Sequence, residues 1–392
     1  MMARIAVSGR GELDAANQAM IDSLLARGHL PDAWRPVWQR VPRHLFVPDT
    51  LWVNELPLSR QGDPDGWAEA AYADLPLITL YDDGATPVSG PVGNSPAGCL
   101  SAPSVVAGIL DAARVETASH ILEIGAGSGW TPALLAAYAP GNTVISIEVD
   151  PVLANKARDT LAAAGFGPSS GVSVVAADGR FGYQLAAPFE RVIATCAVYR
   201  VPQAWIEQTE VGGLVVTPWR TAMLDGLLLV LESHGNGSAS GGFVDSASFT
   251  ALCGQRRSTQ QGPIRGGETR QTVLYSGKVF DDHGAHLAVA LLVPDVDRWT
   301  EQLPHGHVIR LDAPGTGSWA WAQFPDGDDG PYQVRQGGPR RLWDEVEVAY
   351  QWWRSRDCPE YARFGVTVSR YGQSVWLDDP TNIVHQIMLS RN

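Results

Sequence analysis

Three carboxylates and three glycines set the chemistry this chain could perform. An apolar strand delivers Glu123 into Gly125-Ala-Gly-Ser-Gly129, and a helix is expected to begin at Trp130. Glycines at alternate positions let the backbone turn tightly and approach a ligand closely, while the free N–H groups of the following helix face it. The apolar run Thr143-Val-Ile-Ser-Ile-Glu-Val-Asp150 places Glu148 at the end of a second strand, where a carboxylate could accept from two ribose hydroxyls. Val172-Ser-Val-Val-Ala-Ala-Asp-Gly179 ends a third strand with Asp178, which could accept from an exocyclic adenine amine. Singly, each acid reads as a solvated strand end. In register, the three describe a site for a nucleotide-like ligand.

Elements that alternate in type must position these groups. A helix from Ser104 leads into strand His120–Ile124, a helix after Trp130, strand Thr143–Val149, a helix after Pro151 and strand Val172–Ala176. Such alternation predicts a parallel sheet covered on both faces, an α/β doubly wound fold. Phe189–Thr195 and Leu214–Pro218 are two further strands, the second entered after the stop Gly212-Gly213, and Asp225–Ser233 reads as antiparallel. Upstream, a helix is expected near Ala15–Arg27 with Met20, Ile21, Leu24 and Leu25 on one face. Residues 56–97 are rich in Gly, Pro and Asp and read as largely loop. The polar stretch Gln255–Arg270 marks a domain boundary, which gives an N-terminal helical region 1–110, a core 111–260 and an α+β accessory domain 261–392. In that last part, Leu342, Trp343, Val346, Ala349, Tyr350 and Trp353 fall on one helical face, read as core in preference to an exposed peptide-binding stripe. Phe364–Val368 and Ser374–Leu377 read as a hairpin.

With 392 residues, two domains are the default. No apolar run is long enough to span a bilayer, and residues 1–10 lack the apolar core of a signal peptide, so a cytoplasmic location is expected. Cys99, Cys196, Cys253 and Cys358 show no paired spacing and read as reduced thiols. His283, His286, His305 and His307 lack the companions of a metal site and read as surface or loop residues; no metal is expected. The net charge of −13 argues against nucleic acid as partner and suits a basic peptide.

The spacing Glu-x-Gly-x-Gly-x-Gly resembles that of the class I S-adenosylmethionine-dependent methyltransferases rather than the Gly-x-Gly-x-x-Gly of dinucleotide enzymes. Val41-Pro-Arg-His-Leu-Phe-Val-Pro48, Ala71-Tyr-Ala-Asp74, Leu100-Ser-Ala-Pro103, Ala187-Pro-Phe-Glu190 and Val201-Pro-Gln-Ala-Trp-Ile-Glu-Gln208 look like successive signatures of protein-L-isoaspartate O-methyltransferases. The resemblance covers about residues 20–255. It implies S-adenosyl-L-methionine as cofactor, held by Glu123, Gly125, Ala126, Gly127, Gly129, Glu148, Asp178, Gly179 and Thr195. It also implies that Ser101 at the cleft mouth hydrogen-bonds the acceptor carboxylate; the alternative for Ser101 is a cap for the helix starting near Pro103. Gly98-Cys99-Leu100-Ser101 keeps the family's serine but not its glutamine.

The tryptophan-rich remainder resembles longer homologues associated with ribosomally made, modified peptides. That resemblance implies O-methylation of an ordinary aspartate in a precursor peptide, basic or already modified, whose ester closes to an aspartimide and can open to isoaspartate. Repair of isoaspartyl proteins is the alternative, and a non-catalytic, cofactor-bound peptide-binding protein a third. A nicotinamide oxidoreductase fits the glycine spacing least. A carboxylate is already ionised at neutral pH, so methyl transfer to it needs alignment rather than a strong base.

Overall fold

A computed structural model describes residues 10–86, 92–93, 95–117, 119–139, 141–257, 261–264, 266–327 and 329–388. Most of the amino-terminal segment read for a signal sequence lies outside them. Helix α1 (Arg10–Ala26) buries Met20, Ile21 and Leu24 against the short α2 (Arg35–Arg40). The segment read as loop, with the residues flanking it, instead builds a four-stranded antiparallel sheet from β1 (Thr50–Val53), β2 (Leu56–Ser59), β3 (Leu77–Tyr81) and β4 (Pro96–Leu100). Helix α3 (Pro64–Tyr72) lies between β2 and β3 in the chain. These strands are four or five residues long, too short to show a period between Gly, Pro and Asp turns.

After α4 (Pro103–Ala113) the expected alternation runs β5 (His120–Ile124), α5 (Trp130–Tyr138), β6 (Thr143–Glu148), α6 (Pro151–Ala163), β7 (Val172–Ala176) and β8 (Phe189–Ala194). Asp150 starts α6 by accepting from the N–H groups of Val152 at 2.7 Å and Leu153 at 3.4 Å, with Pro151 in the first turn where no N–H is needed. Helix α7 (Gln203–Glu207) leads into β9 (Thr209–Trp219), which contains the Gly212-Gly213 pair rather than following it. Gly212, at φ +76°, lies in the irregular stretch where the β8–β9 register shifts between Phe189 and Arg191. Strands β10 (Leu227–Ser233) and β11 (Ala239–Ser246) continue antiparallel.

The chain then forms β12 (Glu268–Thr272), α8 (Gly277–Phe280), α9 (His283–Leu292), β13 (Asp297–Leu303), β14 (Gly306–Ala313), β15 (Ser318–Pro325) and β16 (Tyr332–Gly337). The five strands pair antiparallel in the order β12-β16-β15-β14-β13. Helix α10 (Leu342–Arg354) buries all six residues of its expected apolar face, so the aromatic stripe is core. The hairpin β17 (Phe364–Ser369) and β18 (Gly372–Leu377), followed by β19 (Ile383–Met388), returns to the large sheet, where β17 pairs with β11. The result is a ten-stranded sheet in the order β19-β18-β17-β11-β10-β9-β8-β5-β6-β7.

This topology means that a boundary near residue 260 does not separate two cores. Trp219, Leu229, Leu287, Trp343 and Val366 belong to one continuous apolar cluster, and Gln373 on β18 donates to Val201 O at 2.8 Å. A chain cut near Gly262 would unpair β11 and open that core. His286, expected at the surface, is buried on α9 with its ring 3.0 Å from Met223 O, and burial pushes its pKa down to about 3. Among the described residues no group of His, Cys, Asp and Glu could hold a metal ion, and no helix is long and apolar enough to cross a membrane.

Candidate active site

The first βα turn lies where the parallel strands change direction of progression. β6 and β7 lie on one side of β5, and β8 and β9 on the other, which opens a crevice beyond the carboxyl end of β5. Gly125, Gly127 and Gly129 take φ of +107°, +52° and +94°, the left-handed region that side chains disfavour. The turn is pinned to β6, because Ile147 O accepts from Gly125 N at 2.8 Å and Ala126 N at 3.1 Å. A Cβ at Gly125 would meet Thr195 Oγ1 at 2.6 Å, and one at Gly129 would meet Leu161 Cγ at 2.9 Å. At Gly127 its nearest neighbour would be Gly125 O at 3.9 Å, so a side chain there would stand in the open cleft.

Glu148 ends β6 at the cleft wall. Its carboxylate accepts from Gly127 N at 3.0 Å and Asp150 N at 3.2 Å and keeps further lone pairs, while burial pushes its pKa up. Asp178 follows β7 and also lines the cleft. It accepts from Arg180 N at 2.9 Å and from the Arg180 guanidinium at 2.8 Å, contacts that hold its pKa below the ordinary carboxylate value. Gly179 and Thr195 complete the wall; Thr195 Oγ1 donates to Gly125 O at 2.8 Å. Ala126 and Gly129 are buried on the underside of the turn.

Glu123 differs from expectation. It is fully enclosed beneath the turn rather than in the cleft, bonded to Ser146 Oγ and, at 3.3 Å, to Thr195 Oγ1. Desolvation raises its pKa to about 8, so at neutral pH it is a protonated strut. The folded chain therefore holds a proton between about 4.5 and 8 that the unfolded chain has lost, and stability falls as pH rises through that window. The slope reaches about 1.4 kcal/mol per pH unit. Glu123→Gln is expected to remove this slope and to gain stability relative to the parent between pH 5.5 and 8, as followed by urea unfolding. Identical pH profiles would mean that Glu123 is ionised in the folded chain.

Ser101 follows β4 and faces an adjoining cavity of about 530 Å³. The two spaces share Cys99, Thr195, Thr250, Ala251 and Arg256 as a common wall. The cap of α4 is not Ser101. Ala102 occupies that position without a side-chain bond, and Asp74 reaches over to accept from Ser104 N at 2.9 Å. The Ser101 hydroxyl has no hydrogen-bond partner among the described residues. Its backbone is fixed from below by Arg43, a fully buried residue whose guanidinium donates to Ser101 O at 2.9 Å and to Ala71, Ala73, Leu75 and Leu100 carbonyls.

Several site residues were not singled out from sequence. Arg256, in the stretch read as a boundary, lines both spaces and pairs with Asp83. Gln255 braces the neighbouring loop by accepting from Tyr199 N at 2.8 Å and Arg200 N at 3.0 Å. Three of the four cysteines, scattered in sequence, meet at the cleft; burial raises the Cys99 thiol to about 11 and pushes Cys196 up as well, so neither is a nucleophile near neutrality.

A doubly wound sheet with this turn, and a carboxylate at the end of the next strand, defines a class I methyltransferase fold. A solved protein-L-isoaspartate O-methyltransferase shares it with a TM-score of 0.55 at 18% identity, over 93% of this chain and all of that one. The family model Protein-L-isoaspartate(D-aspartate) O-methyltransferase matches residues 64–257. The protein-L-isoaspartate O-methyltransferase of Ignicoccus hospitalis is 33% identical over 53% of this chain and 82% of its own length. That of Gloeobacter violaceus is 33% identical over 59% and 93%. The chain belongs to the protein-L-isoaspartate O-methyltransferase family, whose members are S-adenosyl-L-methionine-dependent transferases.

Proposed function

We propose that this chain methylates the free carboxylate of an isoaspartyl residue in a peptide or protein, with S-adenosyl-L-methionine as donor. The observation that carries this reading is the shared wall between the cleft of Gly127 and Glu148 and the cavity of Ser101. When bound, the cofactor supplies an electrophilic methyl group on a sulfonium centre. The residues fit such a ligand. Glu148 offers acceptor capacity to a ribose diol, Asp178 to an adenine amine, the bare Gly127 leaves room for close approach, and Ser128 Oγ is buried in the same turn with no partner among the described residues. Ser101 donates to the acceptor carboxylate and fixes its direction. Thr195 and the turn exclude water from the line of attack, and no base is required, since the acceptor is ionised at neutral pH. Holding attacking oxygen and methyl in line is worth on the order of 7 kcal/mol or more.

Glu148→Ala is expected to weaken S-adenosylhomocysteine binding about tenfold, one lost charge-assisted contact, in a calorimetric titration. Unchanged affinity would remove Glu148 from the ribose.

A second reading, methylation of an ordinary aspartate in a ribosomally made precursor peptide with closure to an aspartimide, draws on the C-terminal part. Leu291, Pro294 and His385 reach a cavity adjoining that of Ser101. The fold likeness over 93% of the chain to a protein-L-isoaspartate O-methyltransferase weighs against this part being a mark of peptide tailoring. Incubation with cofactor and matched isoaspartyl and aspartyl peptides, quenched with hydrazine, separates the two by mass spectrometry. The proposed reaction yields hydrazine adducts from the isoaspartyl peptide; adducts from the aspartyl peptide alone would establish the second reading instead.

A further inference from the structure

The cavity beside Ser101 is lined by three guanidinium groups, those of Arg220, Arg256 and Arg257, and by no carboxylate among the described residues. Through Tyr199, Arg220 and Arg257 it runs on into a space of about 730 Å³ that adds Arg180 and Arg200, with Asp295 as its one acid among the described residues. Tyr199 holds the middle of this row: Arg220 and Arg257 lie over its ring at 5.4 and 5.8 Å, so one aromatic ring attracts both guanidinium groups.

Arg256 is held by a close pair with Asp83, but the counter-charges of Arg220 and Arg257 leave those two groups donor-rich. Arg220 reaches Asp225 only at 3.8 Å, and Arg257 reaches Asp295 at 3.5 Å and Asp297 at 3.8 Å; Asp225 and Asp295 are largely exposed. The loose pairs with the solvated Asp225 and Asp295 are worth little; Asp297 is buried, but at 3.8 Å it engages one terminal nitrogen of Arg257, and a guanidinium carries five N–H donors. The Nε atoms of Arg220 and Arg256 are buried with no partner among the described residues.

We propose that the row of Arg220, Arg257 and Arg200 reads acidic side chains flanking the acceptor, so that this chain selects acidic peptides. The inference rests on the acceptor being a peptide carboxylate held at Ser101. It reverses the partner charge expected from the net charge of −13, which acts at long range and is screened beyond about 8 Å at physiological salt. Contacts inside the channel are set by the arginines.

The test is binding, not turnover. Two fluorescent isoaspartyl peptides, identical except for two flanking glutamates or two flanking lysines, are titrated with the full chain in the presence of S-adenosylhomocysteine and read by anisotropy. The glutamate peptide is expected to bind at least about tenfold more tightly, a gap that narrows with added salt. Arg220→Gln/Arg257→Gln should erase the gap while S-adenosylhomocysteine affinity stays unchanged. Arg257→Gln alone, at an exposed residue, should remove part of it, and Arg257→Lys should retain most. Equal binding, no binding of either peptide, tighter binding of the lysine peptide, or a gap that survives both glutamines would overturn the proposal. Methyl transfer is followed in parallel: a bound acidic peptide that gains no methyl group would overturn the proposed reaction and leave the peptide preference standing.

Discussion

Arg43→Met is expected to destabilise the chain by about 3–5 kcal/mol, the cost of removing one partner from a buried charged network. The arginine is fully buried between α3 and the end of β4, and desolvation lowers its pKa to about 10, so it remains charged at neutral pH. Its two terminal nitrogens satisfy five backbone carbonyls at 2.9 to 3.3 Å, from Ala71, Ala73, Leu75, Leu100 and Ser101. Methionine fills similar volume but donates nothing, and each abandoned carbonyl costs about 1–3 kcal/mol less whatever water can recover. Scanning calorimetry should register a fall in Tm of about 4–6 °C. A loss under about 1 kcal/mol would mean that the carbonyls find other donors. Because the same guanidinium fixes the Ser101 carbonyl, turnover should fall with stability, and Arg43→Lys, with three donors on a point charge, should recover only part of either.

Ser101→Ala is the second large effect, a fall in kcat of about a hundredfold with cofactor affinity unchanged. The hydroxyl caps no helix and has no partner among the described residues, so its loss removes an alignment contact without opening the fold. The split between kcat and cofactor Kd is the informative readout. Weakened S-adenosylhomocysteine binding, or a Tm change comparable to that of Arg43→Met, would assign Ser101 a structural role instead.

The parallel half of the fold and the glycine turn with Glu148 and Asp178 beside it were legible in sequence because both are local. Each strand of β5 to β7 is a mainly apolar run with a carboxylate at or near its end, and the glycine turn carries its own signature. What was not legible depends on contacts distant in the chain. β17 pairs with β11 across more than a hundred residues, which no periodicity announces, so a shared core reads as two domains. The arginine channel draws on separate loops around residues 180, 200, 220 and 256, none of them basic as a run. Glu123 reads as a ligand in any strand-turn-helix motif; only Ser146 on the neighbouring strand and Thr195 beyond β8 show that it is sealed below the turn. Asp74 takes over the capping of α4 from a segment thirty residues upstream, which frees Ser101.

The most direct test is the initial rate of methyl transfer from isotopically labelled S-adenosyl-L-methionine to a synthetic isoaspartyl peptide, set against its aspartyl twin. Base-labile label is expected on the isoaspartyl peptide, saturable in both substrates and lost to near background in Ser101→Ala. Tight S-adenosylhomocysteine binding with no label on isoaspartyl peptides, or label on the aspartyl twin alone, would contradict the proposed reaction.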